Sequence, residues 1–219
     1  MGEVVLVHGA WHGAWCWDRV VSELQHLGVS ATAVELPLAG LAADIAATRP
    51  VIEAAGPASV VVGHSYGGKV ISAAAAGLPT VARLIYLAAF LAEPDEDTFA
   101  LMGGSKLTES IIISEHGTTV DPAAAADVFY GDADPVTAAA MVARLRLMGV
   151  GASPPPGTEP AWRSIPTTYV VCGNDQAISA ESQRMMATRA ATVVEWPTDH
   201  SPFVTRPEAI AALIASYVT

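Results

Sequence analysis

Residues 63–68, GHSYGG, decide the fold, because they join two segments of opposite character. Three β-branched valines lead into Gly63, and an alanine-rich segment follows the motif, so the sequence predicts a strand, a tight turn and a helix. Ser65 stands at the corner, where a strained backbone needs neighbours without side chains, and Gly63 and Gly67 meet that need. This context is typical of a nucleophile elbow of the GxSxG type. The spacing matches neither a Walker phosphate loop nor GxGxxG.

A serine hydroxyl is a weak nucleophile until a base takes its proton and a third group orients that base. Only His116 and His200 follow the elbow. His200 comes after a strand-like run, 192–196, and before a final helical pattern, so it lies in a loop at a strand end. His116 lies in an irregular stretch, which favours a surface or pocket-rim position. We therefore predict that His200 is the base.

The orienting acid is expected in the loop after the preceding strand, 167–173. Asp175 follows that strand, and an ionised carboxylate there can accept a hydrogen bond from the imidazole. Asp95 and Asp97, behind another strand, are alternative acids. Asp199 competes weakly, because a side chain next to the histidine in sequence usually points away from the ring and bonds turn backbone. Asp175 is the predicted acid.

The first strand ends in His8, Gly9 and the small residue Ala10, which suggests an oxyanion hole. The amides of Ala10 and of Tyr66, the residue after the predicted nucleophile, are expected to donate to a developing oxyanion. Each such donor typically lowers the barrier by about 3 kcal/mol. Three further histidines are interpreted as structural residues of the turns: His8, His12 and His64.

Length and composition fit one domain, 1–219, with a sizeable core. Hydrophobic residues make up 52% of the chain, but no apolar run approaches the roughly 18 residues of a membrane span. The first strand is expected to begin at Glu3, without a basic region, an apolar region or a cleavage site before it, so nothing in the sequence as given indicates export. Cys16 and Cys172 fit reduced, buried thiols better than a disulfide framework. The sequence thus predicts a cytoplasmic protein with no membrane partner.

The charge excludes some partners. A formal net charge of −11, with Lys69 and Lys106 the only lysines, makes nucleic-acid binding improbable, since phosphate contacts need clustered basic residues. Acidic substrates are also repelled overall. The chain has no zinc-ligand spacing, no HExxH and no dinucleotide fingerprint, so no metal and no cofactor is predicted. The expected partner is a small ester-like molecule, and a homodimer is compatible with the sequence.

Strand-like and helix-like segments alternate along the chain. This pattern predicts an α/β fold with a six-stranded, mainly parallel sheet and helices on both faces. In the helical segment 40–56, Pro50 is expected to kink or restart the helix. An insertion at about 91–162 contains two helix-like pieces, 121–131 and 134–149, and ends in the proline-rich stretch 153–160. We interpret the insertion as a small helical cap over the carboxyl ends of the strands, where open α/β sheets bind ligands.

The cap contributes apolar side chains that either line a pocket or pack the cap onto the core, and for any one of them packing is favoured. They are Phe99, Met102, Phe129, Tyr130, Met141 and Met148.

Four motifs together resemble the α/β-hydrolase superfamily: HGAWHGAWCW (8–17), GHSYGG (63–68), GNDQAI (173–178) and TDHSPF (198–203). More narrowly they are similar to the branch that holds plant methyl esterases, the salicylate-binding esterase, hydroxynitrile lyases and short bacterial esterases. The likeness covers nearly the whole chain outside the cap.

The resemblance implies a catalytic triad and a set of surrounding residues. Ser65, Asp175 and His200 carry over as the triad, and Ala10 and Tyr66 as the oxyanion donors. The expected pocket residues are Trp11, Phe90 and Ser201. The lyases of this branch have a threonine after the first histidine and a lysine after the last one. This chain has Gly9 and Ser201 there, so cyanohydrin cleavage is not expected.

The leading hypothesis is a cofactor-free serine hydrolase that cleaves a small carboxylic ester through an acyl-enzyme. Lactones, thioesters and amides fit the same machinery. A biosynthetic cyclase or lyase that uses the same pocket remains an alternative. So does a protein of this fold that binds a small molecule without turnover.

Overall fold

The computed structural model describes residues 2–151 and 159–218. Strands in this part of the chain are β1 (Val4–Val7), β2 (Ala31–Val34), β3 (Ser59–His64), β4 (Val81–Leu87), β5 (Ile111–Ser114), β6 (Gly117–Val120), β7 (Met148–Gly149), β8 (Thr167–Cys172) and β9 (Thr192–Trp196). Most of the proline-rich stretch 153–160 lies outside the described residues.

Helices alternate with these strands. They are α1 (Asp18–His26), α2 (Leu41–Ala54), α3 (Gly67–Ala74), α4 (Thr98–Leu101), α5 (Lys106–Ser110), α6 (Pro122–Phe129), α7 (Pro135–Val142), α8 (Ala180–Ala187), α9 (Pro202–Thr205) and α10 (Pro207–Ala215), with single 3₁₀ turns at Ala14–Trp17 and Ala161–Arg163.

Six strands form one parallel sheet in the order β2-β1-β3-β4-β8-β9. Every residue of β3 and β8 is buried, including those that point to opposite faces, so helices cover both faces of the sheet centre. The edge strands β2 and β9 are partly exposed. The predicted α/β fold with a six-stranded parallel sheet is confirmed.

Helix α2 continues from Leu41 to Ala54, so Pro50 does not restart the helix. Thr48 and Ile52 are fully buried on either side of the proline. Arg49 also donates from Nη1 to the carbonyls at the end of α3, those of Ala74 and Ala76, at 3.2 and 3.0 Å. Packing and these hydrogen bonds offset the hydrogen bond that the proline removes.

The cap lies between β4 and β8. It was predicted to be helical, but it is only partly so. It contains helices α4 to α7 and also an antiparallel sheet in the order β5-β6-β7. The stretch around His116 is therefore a hairpin rather than irregular chain, with Gly117 at a φ of 142° in its turn. Ile112 and Ile113 of β5 are exposed, so the strand lacks the alternation of buried and exposed residues that identifies strands in a sequence.

The cap packs on the sheet core through a continuous set of buried apolar side chains. Polar contacts add to this packing: Trp11 donates from Nε1 to the carbonyl of Thr118 at 3.0 Å. Arg146 donates to the carbonyls of His12 and Leu36 at 2.8 and 3.1 Å. In the described ranges, no helix is both long enough and apolar enough to cross a membrane.

Candidate active site

Ser65 occupies the corner between β3 and α3 with a φ of 52°, in the left-handed region that non-glycine residues rarely adopt. The corner closes because its neighbours lack side chains. A Cβ on Gly63 would lie 2.7 Å from the carbonyl oxygen of Gly67, and one on Gly67 would lie 2.6 Å from that of Val7. The strain at Ser65 is held by backbone packed too closely for any larger residue.

The sheet brings the loops after β1, β3 and β4 together at its carboxyl edge. Val7 pairs with Gly63, and His64 pairs with Leu87. The Ser65 amide donates to the carbonyl of Leu87, and the Ser65 carbonyl accepts from the amide of Phe90 at 3.1 Å. The backbone of the elbow is therefore fixed on both sides by the loop after β4.

His200 and Asp175 meet at the ends of β8 and β9. His200 Nδ1 lies 2.7 Å from Asp175 Oδ2, and both side chains are buried. The other oxygen, Oδ1, accepts from the amides of Ala177 and Ile178 at 2.6 and 2.9 Å. Because Asp175 accepts these hydrogen bonds, its carboxylate has a fixed orientation, and it orients the imidazole in turn.

Gln183, which the sequence analysis missed, is a further partner of Asp175. Its side-chain amide donates to Asp175 Oδ2 at 2.7 Å and to the carbonyl of Ile178, while its oxygen accepts from the amide of Cys172. It is fully buried on the same face of α8 as Met186. An amide on the apolar face of a helix was the signal in the sequence, since a buried amide needs partners.

His200 is attached to the elbow through His64. The Nε2 of His64 donates to the carbonyl of His200 at 2.9 Å, and the two ring centroids are 4.6 Å apart. The hydrogen bonds of the described residues include none between Ser65 Oγ and the His200 ring. Hydrogen bonds of this kind are often long before substrate binds. Proton transfer between these two residues stays a prediction.

The alternative acids have other partners. Asp199 accepts from the amides of Asp132 and Ser201, and Asp132 accepts in turn from the Asp199 amide at 2.8 Å. Burial raises the pKa of Asp199. Asp97 accepts from the amide of Phe99 at the start of α4.

His116, the alternative base, is exposed in the hairpin and lies 3.4 Å from Glu115. Asp95 is likewise exposed.

Ala10 and Tyr66 flank Ser65, and both line the same pocket. Neither backbone amide donates to another of the described residues. Gly9 brings the two loops together, because a Cβ at that position would lie 2.9 Å from Ser65 Cβ. The carbonyl of Ala10 is held by His12 Nδ1 at 2.7 Å.

The pocket beside Ser65 has a volume of about 340 Å³. Trp11 and Phe90 line it, as does Lys69 of α3. The cap covers it with residues of α4 and α5 and of its antiparallel sheet, including Thr98, Phe99, Met102, Leu107, Ile111, Thr118 and Met148. The pocket is a mainly apolar cleft between the sheet edge and the cap.

The cap residues considered from sequence divide into two groups. Phe99, Met102 and Met148 line the pocket, whereas Met141 packs against the core. Phe129 and Tyr130 contact the ring of His12, to which Tyr130 donates from its hydroxyl at 2.8 Å.

Ser201 does not line the pocket, so its placement there was wrong. Its side chain is fully buried, and its amide donates to Asp199 at the start of α9. The turn that presents His200 directs the next residue into the core.

Comparison with known proteins agrees with this fold. Residues 4–213 match the model of the alpha/beta hydrolase family. The chain belongs to this family. It is 28% identical to the alpha/beta hydrolase nvfD of Aspergillus novofumigatus and 29% identical to methylesterase 7 of Arabidopsis thaliana, in each case over 96% of this chain and 94% of the relative.

A pyrethroid hydrolase from Sphingobium faniae JZ-2 has the same fold, with a TM-score of 0.82 and 24% identity over 99% of this chain and 97% of that chain. The resemblance to the plant methylesterase branch, inferred from four short motifs, is confirmed.

Three buried histidines hold the turns of this α/β-hydrolase as neutral rings. Burial lowers the pKa of His8 to about 4 and that of His12 to about 3, and it lowers the pKa of His64 well below the usual range. In His8, Nδ1 donates to the carbonyl of Gly9 and Nε2 accepts from the amide of Leu36. His8 and His12 each use one donor and one acceptor nitrogen, as a neutral ring can. His64 bonds through Nε2, and its Nδ1 has no partner among the described residues.

Proposed function

We propose that this hydrolase cleaves small carboxylic esters with Ser65 as nucleophile, His200 as base and Asp175 as orienting acid. The observation that carries the proposal is the buried hydrogen bond of 2.7 Å between His200 Nδ1 and Asp175 Oδ2. It fixes the tautomer of His200, so that Nε2 is the acceptor nitrogen. Within the described residues, Nε2 makes no other hydrogen bond and is available to the serine.

The reaction begins when Ser65 Oγ attacks the ester carbonyl and His200 Nε2 takes the hydroxyl proton. The carbonyl oxygen becomes an oxyanion, to which the free amides of Ala10 and Tyr66 donate. His200 then gives its proton to the departing alcohol, which leaves an acyl group on Ser65. Water, deprotonated by His200, attacks the acyl-enzyme; the bond to Ser65 Oγ breaks, His200 returns the proton to Oγ, and the acid is released. Asp175 stabilises the imidazolium in both steps.

The pocket supports a small substrate with an apolar body, because its lining is mostly apolar and its volume is about 340 Å³. The names of the relatives agree with ester chemistry, since they include a methylesterase and a pyrethroid hydrolase. A carboxylic-ester hydrolase is therefore the enzyme class that we assign. Lactones and thioesters present the same reacting carbonyl and are included in the proposal.

Cyanohydrin cleavage is disfavoured by the space around Gly9. A Cβ there would lie 2.9 Å from both His64 Nδ1 and Ser65 Cβ, so this backbone does not admit the threonine that the lyases use. A cyclase or a non-catalytic binding protein has no comparable observation in its favour.

The test is pre-steady-state hydrolysis of 4-nitrophenyl esters. We expect a burst of nitrophenol equal to the enzyme concentration, a fluorophosphonate adduct on Ser65, and a loss of kcat of about 10⁴-fold or more in Ser65→Ala and in His200→Ala. His116→Ala, at an exposed position, and Ser110→Ala, at a partly exposed one, are the matched controls and should retain full activity. Undiminished turnover in Ser65→Ala would refute the mechanism.

A further inference from the structure

Lys69 is the one charged side chain among the described residues that line the pocket. It lies in the first turn of α3, four residues after Ser65, and its amide donates to the carbonyl of Tyr66. Its side chain is half-buried, and burial lowers its pKa. A lysine in an apolar cleft that opens onto the nucleophile has a desolvation cost that some partner has to offset.

The hydrogen bonds that the chain itself supplies do not neutralise this charge. Lys69 Nζ donates to Thr98 Oγ1 at 2.7 Å, which is a neutral hydroxyl. No carboxylate of the described residues forms an ion pair with it. An ammonium group has three donors, so two remain for a ligand.

The nearby carboxylates are engaged elsewhere. Glu96 accepts two hydrogen bonds from the guanidinium of Arg189, one of them at 2.6 Å. Asp97 accepts from the amide of Phe99 as the N-terminal capping residue of α4. Both raise the pKa of Lys69 from a distance without pairing with it. These two carboxylates thus favour the charged form of the lysine without using its donors.

We propose that Lys69 selects esters that carry a carboxylate, or a comparable anionic oxygen, on the part of the molecule that does not react. This deepens the proposed function and rests on it. The anion would accept from Lys69 Nζ beside Thr98, while the ester carbonyl lies between Ser65 and the free amides of Ala10 and Tyr66. The reaction itself is unchanged, since Lys69 binds and orients the substrate and takes no part in proton transfer.

The overall charge of −11 does not oppose such a substrate at close range. Exposed charges are screened over about 8 Å at physiological salt. A contact inside a cleft is screened much less, and a charge-assisted hydrogen bond there outweighs the distant repulsion.

Two matched ester pairs test the proposal. The first compares the 4-nitrophenyl monoester of glutaric acid with 4-nitrophenyl 5-methylhexanoate, in which an isopropyl group replaces the carboxylate. The second compares 3-carboxypropyl acetate with 4-methylpentyl acetate, followed by pH-stat titration. The pair that responds shows whether the anion lies on the acyl or the alcohol side.

We expect Lys69→Met to lower kcat/KM by about 10- to 100-fold for the anionic ester of the responding pair, the factor for a lost hydrogen bond to a charged group. The neutral ester should change by less than about threefold. Lys69→Arg should keep the preference, since it keeps the charge. Lys106→Met is the matched control, because Lys106 is exposed, pairs with Asp127 and does not line the pocket.

An equal loss on charged and neutral esters would overturn the proposal and leave Lys69 as a contact that holds the cap through Thr98. Absence of any charge preference in both pairs would overturn it as well. Calorimetry separates this failure from failure of the proposed function. The anion site is supported if the anionic esters bind Ser65→Ala more tightly than they bind Ser65→Ala/Lys69→Met. This holds even if the wild-type chain hydrolyses neither ester.

Discussion

The loops at the carboxyl edge of the sheet and the cap above them are held in different ways. The edge loops are joined backbone to backbone: Asn174 donates to the carbonyl of Thr198, and Phe90 donates to that of Ser65. The cap is joined to the core by backbone hydrogen bonds, such as that from the Arg146 amide to the carbonyl of Trp11, and also by side chains. The Trp11 side chain donates to the carbonyl of Thr118, and the Arg146 side chain donates to two carbonyls. The elbow loops thus rely on backbone contacts, whereas the position of the cap relies in part on side chains that can be exchanged.

The strongest test of this contrast compares two buried aspartates that are neighbours of His200. Asp175→Asn should lower kcat by about 10³- to 10⁴-fold, because an amide cannot hold the imidazole in the right tautomer or stabilise its charged form. Asp199→Asn loses one of the two oxygens that accept from the amides of Asp132 and Ser201. Since Asp199 forms no hydrogen bond with the His200 ring in the described residues, kcat should stay within about threefold. Steady-state kinetics with one nitrophenyl ester measures both. Comparable losses in the two variants would contradict the assignment of the acid.

The second test compares glycines. Gly63→Ala should lower the free energy of unfolding by about 2–3 kcal/mol, since its Cβ would meet the backbone of Gly67 and Gly68 below 3 Å. Gly77→Ala, at a φ of 73° with open space around it, should cost about 1 kcal/mol from backbone strain alone. Urea unfolding at pH 7 measures both. Equal costs would mean that the elbow can relax.

The third test uses pH. The folded pKa values of His8 and His12 lie below the unfolded value of 6.5, so the unfolded chain binds more protons. Their contribution is complete above pH 6.5 and is lost as the pH falls toward 4, by about 1.4 kcal/mol per pH unit for each histidine.

Urea midpoints measured between pH 7.5 and pH 5 should show this fall. His12→Gln, which keeps one donor and one acceptor, should reduce the slope, whereas His116→Gln at the exposed hairpin should not. A wild-type slope that His12→Gln leaves unchanged would argue against a neutral, buried His12.

The smallest effect is expected at the cap. Arg146→Met removes hydrogen bonds to His12 and Leu36 and an ion pair of 2.6 Å with Glu35, which should cost about 1–2 kcal/mol of stability. KM should rise a few-fold while kcat stays nearly unchanged. Arg144→Met is the control, because it removes a guanidinium that lies over the Trp15 ring. A large fall in kcat would show that the cap sets the geometry of the edge loops too.

The sheet and its loops could be predicted from sequence because their signals are local. β3 and β8 are continuous buried runs, as strands covered on both faces require. Ser65, Asp175 and His200 each come shortly after the end of a strand. The cap gave weaker signals. Ile112 and Ile113 are exposed, so β5 lacks the alternation by which a strand is identified in a sequence. The second partner of β6, after β5, is the distant two-residue strand β7, which no local pattern predicts.

The partners of individual side chains were the other feature that could not be predicted from the sequence. The role of Gln183 depends on which face of α8 meets β8, and the burial of Ser201 depends on the turn before α9. Such directions follow from tertiary packing rather than from the residue type. The continuity of α2 through Pro50 has the same origin, because burial on both sides of the proline outweighs its local preference. Assignment to the cytoplasm and dimer formation stay predictions.

The close approach of glycine backbones around Ser65 has a practical consequence for redesign. Saturation libraries at Gly9, Gly63, Gly67 and Gly68 should yield few folded clones, because every side chain there would begin with a Cβ less than 3 Å from a neighbouring atom. Positions such as Phe99, Ile111 and Met148 carry side chains that border the cleft without forming the elbow. Selection for new substrates is best directed to these positions, where diversity and folding do not compete.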